Sequence, residues 1–258
     1  MLATKILSDY EMKQREGQFF DLSHYHTIIE THADFITEPG VLLFSLRKNA
    51  IPTEISDIVR TNLLPRAIKT KTDNRYIAAG KSSGPVKSMI AGYYDKAKRC
   101  NGSGNQIRLT AFSEKYPIEW NNSIWYVRYL NDLYAELFPE SYVARRNQAN
   151  NINYGMIPRT IFSTLTLNYN FRTTCHIDKG DTNYSILTTV GSWEPNSCLI
   201  GFPQYGIAVD LKENDFMIMN PHEYHCNTEF VGNNNHRMSI VTYTREKILH
   251  PQDDWLDF

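Results

Sequence analysis

The chain has 258 residues, of which 41% are hydrophobic and 21% are charged. This is an ordinary globular composition with ample material for a buried core. The formal net charge is −1, so overall charge does not point to a polyanionic partner. No apolar run reaches the length of a signal peptide or a membrane span, which argues against a secreted or membrane protein.

The four cysteines, Cys100, Cys175, Cys198 and Cys226, form no C-x-x-C pair. This spacing argues against a zinc finger and against a redox pair. Four cysteines could form two disulfides, but a chain of this length without a secretory signal is expected to keep free thiols. We therefore expect an intracellular protein of the nucleus or cytoplasm, with no membrane partner, that is monomeric.

The first part of the chain, residues 1–157, is predicted to be mainly helical. It includes a strand-like run, "GVLLFSL" (40–46), and the segment "VKSMIAGYYDKAKR" (86–99), which is predicted to be a helix between two glycine-rich loops. The strongest helix pattern covers 120–138, where apolar residues recur at steps of three and four, and Pro139 should end it. Its aromatic stripe is typical of a core-facing helix rather than of a base-stacking surface.

Charge is concentrated between Arg60 and Arg108, where eleven basic residues face two acidic ones, for a net charge of +9. Such a stretch indicates either a nucleic-acid surface or a solvated face balanced by acids elsewhere. The candidate contacts within it are Lys69, Lys71, Arg75, Lys81, Lys96 and Lys98.

From residue 158 the pattern changes to short β-branched and aromatic runs between turns. The six predicted strands lie in "TIFSTLTLNYNF", "YSILTTVGSW", "SCLIGF", "YGIAVDL", "DFMIMN" and "RMSIVTYT". So many short strands predict a sandwich or barrel. The sequence thus predicts one α+β domain over 1–258, with a β-rich core at 158–247 and N-terminal helices packed on it.

A metal site is predicted where the first of these strands ends. His176 and Asp178 are two residues apart, so on an extended backbone both side chains lie on one face. A further histidine follows "DFMIMN", either His222 or His225. Two histidines and one carboxylate form the facial triad that suits non-haem Fe(II), with three coordination positions left open.

The strand "HRMSIVTY" adds an anion site. Arg237 and Ser239 are two apart, so both can point to the interior. A guanidinium binds a carboxylate through two hydrogen bonds, and a neighbouring hydroxyl adds a donor. This pair is suited to the far carboxylate of 2-oxoglutarate while the keto-acid end chelates iron.

The segments "TLTLNYNFRTTCHIDKGD", "FPQYGIAVDLKENDFMIMNPHEYHCNT" and "RMSIVTYTRE" together resemble the TET/JBP family of Fe(II)- and 2-oxoglutarate-dependent oxygenases. The resemblance implies a double-stranded β-helix (jelly-roll) and hydroxylation, with O2 as co-substrate, of the methyl group of 5-methylcytosine or thymine in DNA. It also implies iron ligands and a cofactor anchor, which are His176, Asp178, His225 and Arg237.

Within the same motif, Asn168 and Arg172 are implied to contact the cofactor, and Asp181 to contact nucleic acid. The sequence departs from the family pattern at "SWEPNSCLIG", where a glycine-rich segment is expected, and the cysteine-rich region of animal TET proteins is absent. The basic stretch gains meaning as a nucleic-acid surface, and a base within a duplex would have to flip out to reach the iron.

Two alternatives remain at this point. One keeps the iron chemistry and takes a protein side chain or a small molecule as substrate. The other is a binding module without catalysis. The motifs do not separate cytosine from thymine, DNA from RNA, or single from double strands.

Overall fold

The protein is described here from a computed structural model that covers residues 1–72, 85–95 and 107–250. Within these ranges the strands are β1 (Leu2–Ala3), β2 (Thr27–Ile29), β3 (Ala33–Thr37), β4 (Leu42–Arg47), β5 (Ser88–Asp95), β6 (Ile107–Leu109), β7 (Thr164–Tyr169), β8 (Ser185–Ser192), β9 (Ile200–Phe202), β10 (Ile207–Val209), β11 (Phe216–Met219), β12 (Cys226–Asn227) and β13 (His236–Tyr243). The helices are α1 (Asp9–Gln14), α2 (Thr53–Asn62), α3 (Leu64–Ala67), α4 (Ala111–Lys115), α5 (Pro117–Leu137), α6 (Pro139–Asn150) and α7 (Glu246–Leu249), with short 3-10 helices at Leu22–His24 and Pro203–Tyr205.

Two sheets form the β part of the molecule. The larger has nine strands in the order β1-β3-β4-β11-β8-β13-β7-β5-β6, and the smaller has four in the order β12-β9-β10-β2. The central strand β13 pairs antiparallel with β7 on one side and β8 on the other. Only the pairs β1–β3 and β2–β10 are parallel among the described strands.

The two sheets pack face to face. Phe44 of the large sheet stacks on Phe202 of the small one, with ring centroids 5.2 Å apart. Leu187 and Met217 belong to the same buried cluster as Ile207. Burying a side chain of this size contributes roughly 1.5–3 kcal/mol, so this interface fixes the two sheets together. The predicted α+β jelly-roll is confirmed.

Helices α2 to α6 cover the outer face of the large sheet. Tyr126 and Leu130 of α5 are fully buried in one cluster with Leu165 of β7 and Met238 of β13. The Tyr126 hydroxyl lies 2.6 Å from Oγ1 of Thr188 on β8. The helix predicted over 120–138 is confirmed as α5, and its aromatic stripe is core. The predicted break is also found, since α6 begins at Pro139.

All six strands predicted after residue 158 are present, as β7, β8, β9, β10, β11 and β13. The N-terminal part differs more from expectation, because residues 1–157 also contribute six strands, β1 to β6. Five of these, β1, β3, β4, β5 and β6, belong to the large sheet, in which β4 pairs with β11 and β5 pairs with β7 from the second half. The large sheet therefore joins both parts of the chain.

The helix predicted over 86–99 is wrong in its described part, because Ser88–Asp95 is strand β5. The segment pairs with β7 and β6, so its apolar run is explained by burial within a sheet. Gly92 has φ +89°, and a Cβ there would lie 2.5 Å from the Ser163 carbonyl oxygen. A glycine is therefore needed where β5 passes the start of β7. Residues 96–99 lie outside the described ranges.

Every helix in the described part of the chain is too short or too polar to cross a lipid bilayer.

Candidate active site

The strands of the large sheet separate apolar from polar side chains by simple alternation. In the β7 sequence "TLTLNY", Leu165 and Leu167 join the core under the helices, whereas Thr166 and Asn168 line a cavity on the other face. In β13, Met238 and Ile240 join that core while Ser239, Val241 and Tyr243 line the cavity. The period of two along a strand thus builds a polar cavity on the back of an apolar core.

The two histidines of the predicted triad lie on neighbouring backbone segments. The His176 N–H donates to the His225 carbonyl oxygen (3.1 Å), and the His225 N–H donates to that of His176 (3.0 Å). Strand β7 ends at Tyr169, so H-x-D lies in the following loop rather than at the strand end predicted from the sequence. The Asp178 N–H donates to the Pro221 carbonyl oxygen at 2.8 Å, which fixes the third residue.

The side chains of His176, Asp178 and His225 meet at one point. Potential ligand atoms of all three lie within 4.8 Å of one another. Nε2 of His176 is 3.7 Å from Oδ1 of Asp178, and Nε2 of His225 is 3.4 Å from Oδ2. This spacing allows the three side chains to coordinate one ion from the same side.

The other ring nitrogen of each histidine is held by the backbone. Nδ1 of His176 lies 2.6 Å from the Thr174 carbonyl oxygen, and Nδ1 of His225 lies 2.9 Å from that of Glu223. A carbonyl oxygen accepts a hydrogen bond from Nδ1–H, so the neutral tautomer that carries its proton on Nδ1 and has a bare Nε2 is favoured. That is the form in which imidazole ligates a metal.

The environment of His225 raises its pKa. Burial lowers the pKa, but the hydrogen bond that the imidazole donates to the Asp178 carboxylate, together with the negative charge of that carboxylate, outweighs this effect. His222 lies elsewhere, in a separate cavity of about 240 Å³ with Asp181, Thr182 and His250. The geometry therefore brings His225, and not His222, to the cluster.

Tyr205 is a supporting residue that the sequence did not single out. Its hydroxyl donates to the Glu223 carboxylate at 2.9 Å, and the Glu223 carbonyl oxygen is the partner of His225 Nδ1. Burial first, and then this hydrogen bond, raise the pKa of Tyr205. The only signal in the sequence was the "FPQYG" motif.

Arg237 is suited to an anionic group. It is 2% exposed, and its Nε and Nη2 atoms have no hydrogen-bond partner among the described residues. It lies on the same face of β13 as Ser239, which lines the cavity opposite Asn168 in the strand register. A buried guanidinium with unused donors is costly unless a ligand completes it. Arg237 is not itself a wall residue of the cavity, and its two unused donors fit an anionic group such as the distal carboxylate of 2-oxoglutarate.

The structure does not bring Arg172 to this cavity, contrary to the cofactor contact implied by the motif. Its guanidinium donates to the Phe20 carbonyl oxygen (3.2 Å) and to Asp21 (2.6 Å) and lies over the Phe19 ring. The guanidinium donors of Arg172 are therefore used to hold the N-terminal segment around residues 19–21. Asn168 is in the cavity wall, where it accepts a hydrogen bond from Ser88 at 2.7 Å.

The cavity has a volume of about 770 Å³, within the usual range for ligand sites. Besides the triad, its wall includes Phe171, Tyr94 and the buried Asp181. Arg245 is a wall residue that the sequence did not predict. Its Nε lies 2.9 Å from Asp95, and its guanidinium lies over the Tyr94 ring at 4.5 Å.

The predicted nucleic-acid residues have different positions. Lys71 is exposed and lines the cavity, whereas Lys69 is exposed and does not belong to its wall. Four others lie outside the described residues: Arg75, Lys81, Lys96 and Lys98.

The jelly-roll and the facial arrangement of two histidines and one aspartate define the class of 2-oxoglutarate-Fe(II) oxygenases. The family model Tet_JBP, the oxygenase domain of the 2OGFeDO superfamily, matches residues 89–246. The chain belongs to the Tet/JBP family.

Two similar proteins match nearly all of the chain. The chain is 30% identical to thymine dioxygenase JBP1 of Leishmania infantum over 96% of its length, and 27% identical to JBP1-B of Trypanosoma cruzi over 98%. It spans only 30% and 28% of those two proteins. A solved structure of NgTET1 in complex with 5mC DNA matches 93% of this chain and 92% of that one, with TM-score 0.53 and 12% identity. That likeness supports the fold.

Proposed function

We propose that the chain is an Fe(II)- and 2-oxoglutarate-dependent dioxygenase that hydroxylates the methyl group of a 5-methylpyrimidine in DNA. The observation that carries the proposal is the triad of His176, Asp178 and His225 in the wall of a cavity sized for a small organic ligand. Membership of the Tet/JBP family supports the reaction class.

The residues have distinct roles in this proposal. His176, Asp178 and His225 hold the iron, which, with 2-oxoglutarate and O2 bound, supplies the oxidising chemistry for an unactivated methyl group. Arg237 binds the distal carboxylate of 2-oxoglutarate through its fork, and Ser239 adds a hydroxyl donor. In this proposal Asn168 contacts the same ligand, because it lies opposite Ser239 in the strand register.

The rest of the cavity wall positions the base. Phe171 and Tyr94 offer aromatic surfaces for stacking, and Asp181 offers a carboxylate to the polar edge of a pyrimidine. Such a cavity accepts a base only after the base has left the stack. Thymine is the preferred candidate, because the relatives that match nearly the whole chain are named thymine dioxygenases.

The test is mass spectrometry of nucleosides after incubation of the enzyme with Fe(II), 2-oxoglutarate and two DNAs, one unmodified and one carrying 5-methylcytosine. We expect 5-hydroxymethyluracil from the unmodified DNA, with equal release of succinate. 5-Hydroxymethylcytosine alone would identify cytosine as the base. Succinate release that depends on an added protein or small molecule, and not on DNA, would instead indicate that class of substrate. His225→Ala is the inactive control.

A further inference from the structure

The wall of the cavity changes charge from its mouth to its interior. Lys71, Arg108 and Lys115 all belong to the wall and are exposed. Asp181, also a wall residue, is buried at 6% exposure, and Asp178 belongs to the metal cluster. A ligand that fits this gradient has an anionic outer part and a neutral inner part. A nucleotide that enters base first has that form.

The three cations reach the mouth from different elements. Lys71 follows α3, Arg108 lies on β6 at the edge of the large sheet, and Lys115 ends α4. Three short segments, distant along the chain from the metal ligands, therefore meet at the rim of the same cavity. The meeting of three cations at one rim is more specific evidence for an anion-binding surface than the basic composition of the stretch from Arg60 to Arg108.

These cations also differ from other basic residues in the neighbourhood. Arg66 is paired with Glu119 at 2.5 Å, and Arg245 with Asp95 at 2.8 Å. Lys71, Arg108 and Lys115 have no carboxylate partner in ranges 1–72, 85–95 and 107–250. Their charge is thus available to a ligand.

We infer that Lys71, Arg108 and Lys115 bind the phosphates that flank the target nucleotide. The substrate is therefore a pyrimidine within a strand and not a free nucleoside. This inference rests on the proposed function and deepens it by naming the part of the substrate that the rim recognises. Each contact displaces counterions from the strand, so binding through the rim weakens as salt increases.

The experiment compares three substrates: thymidine, a single-stranded oligonucleotide with one thymine, and the same oligonucleotide with neutral methylphosphonate linkages on both sides of that thymine. Each is given to wild type, Arg108→Gln, Lys115→Gln and the control Lys13→Gln. Lys13 is an exposed residue of α1 that is not part of the cavity wall. Both the KM for hydroxylation and the binding affinity are measured over a range of salt.

We expect thymidine to be a poor substrate and the neutral linkages to raise the wild-type KM roughly ten-fold, as for loss of a charged hydrogen bond. Arg108→Gln and Lys115→Gln should raise KM by a similar factor on the natural oligonucleotide and much less on the neutral one, because the contact is already lost. Each should reduce the salt slope by about 0.7.

The inference is overturned if both rim variants match Lys13→Gln on the natural oligonucleotide. It is also overturned if the neutral linkages leave the wild-type KM unchanged. Wild type that binds these oligonucleotides through the rim but hydroxylates none of them would instead contradict the proposed function, since affinity is measured separately from turnover.

Discussion

Nε2 of His225 lies 3.4 Å from Oδ2 of Asp178, whereas His222 lines a different cavity. We expect His225→Ala to abolish hydroxylation and to reduce iron binding, because a triad with one ligand missing loses a third of its protein donors. His222→Ala should retain both. Iron content after desalting and succinate formation measure the two effects. The reverse outcome, in which only His222→Ala loses iron, would show that the ligand assignment is wrong.

Arg237 presents two buried donor atoms without partners among the described residues. Arg237→Lys keeps the positive charge but loses the fork. Since a hydrogen bond to a charged group contributes about 1.5–3 kcal/mol, the affinity for 2-oxoglutarate should fall roughly ten- to a hundred-fold. Titration of 2-oxoglutarate at saturating iron measures it, with the exposed Arg159→Lys as control. An unchanged affinity would remove Arg237 from the cofactor site.

For single residues, the sequence predicted the types of chemical group in the site better than it predicted where each side chain lies. His176, Asp178 and Arg237 could be proposed as site residues because their residue types and spacings suit iron and a dicarboxylate. The choice between His222 and His225 could not be made, since both follow the same strand and differ only in where the loop turns. The partners of Arg172 could not be predicted, because Phe20 and Asp21 are about 150 residues away in sequence.

Strand β8 contains Gly191, a position at which the structure leaves no room for a side chain. Gly191 has φ +116°, and a Cβ there would overlap the His236 carbonyl oxygen. Gly40 has φ +82° with nothing nearby. Both alanine variants incur the left-handed backbone cost of about 1–2 kcal/mol, but Gly191→Ala should lose a further amount of about 1–3 kcal/mol through overpacking.

Denaturant unfolding of Gly191→Ala and Gly40→Ala measures that difference. Because Gly191 is opposite Arg237 in the β8–β13 register, Gly191→Ala should also weaken 2-oxoglutarate binding, and Gly40→Ala should not. Equal stability losses in the two variants would mean that β8 and β13 separate easily at this point.

Elements with a clear period were predictable, and elements defined by distant partners were not. Helix α5 and the six late strands show their burial in the local pattern. Strand β5 does not, because it is an apolar run without a period and its identity depends on pairing with β7, about 75 residues later. A short apolar run fits a helix as well as a buried strand.

For the molecule as a whole, the sequence showed only that positive charge is concentrated between Arg60 and Arg108. It did not show where on the surface that charge lies. Lys69 and Lys71 are both exposed. If both contact the DNA backbone, Lys69→Gln/Lys71→Gln should reduce the slope of log affinity against log salt by about one unit per lost contact. Iron binding and DNA-independent 2-oxoglutarate turnover should not change. A slope equal to that of wild type would identify this part of the stretch as a solvated face.

The alternation along β7 and β13 has a consequence for how such an enzyme diversifies. Residues that belong to the core and residues that line the cavity occupy interleaved positions of the same strands, such as Leu165 and Thr166, or Ile240 and Val241. Point substitutions at the cavity positions are therefore separated from the helix-covered core, and new substrates can be selected without rebuilding it. Insertion or deletion of one residue within either strand exchanges the two sets, so evolution along these strands should proceed by replacement and not by change of length.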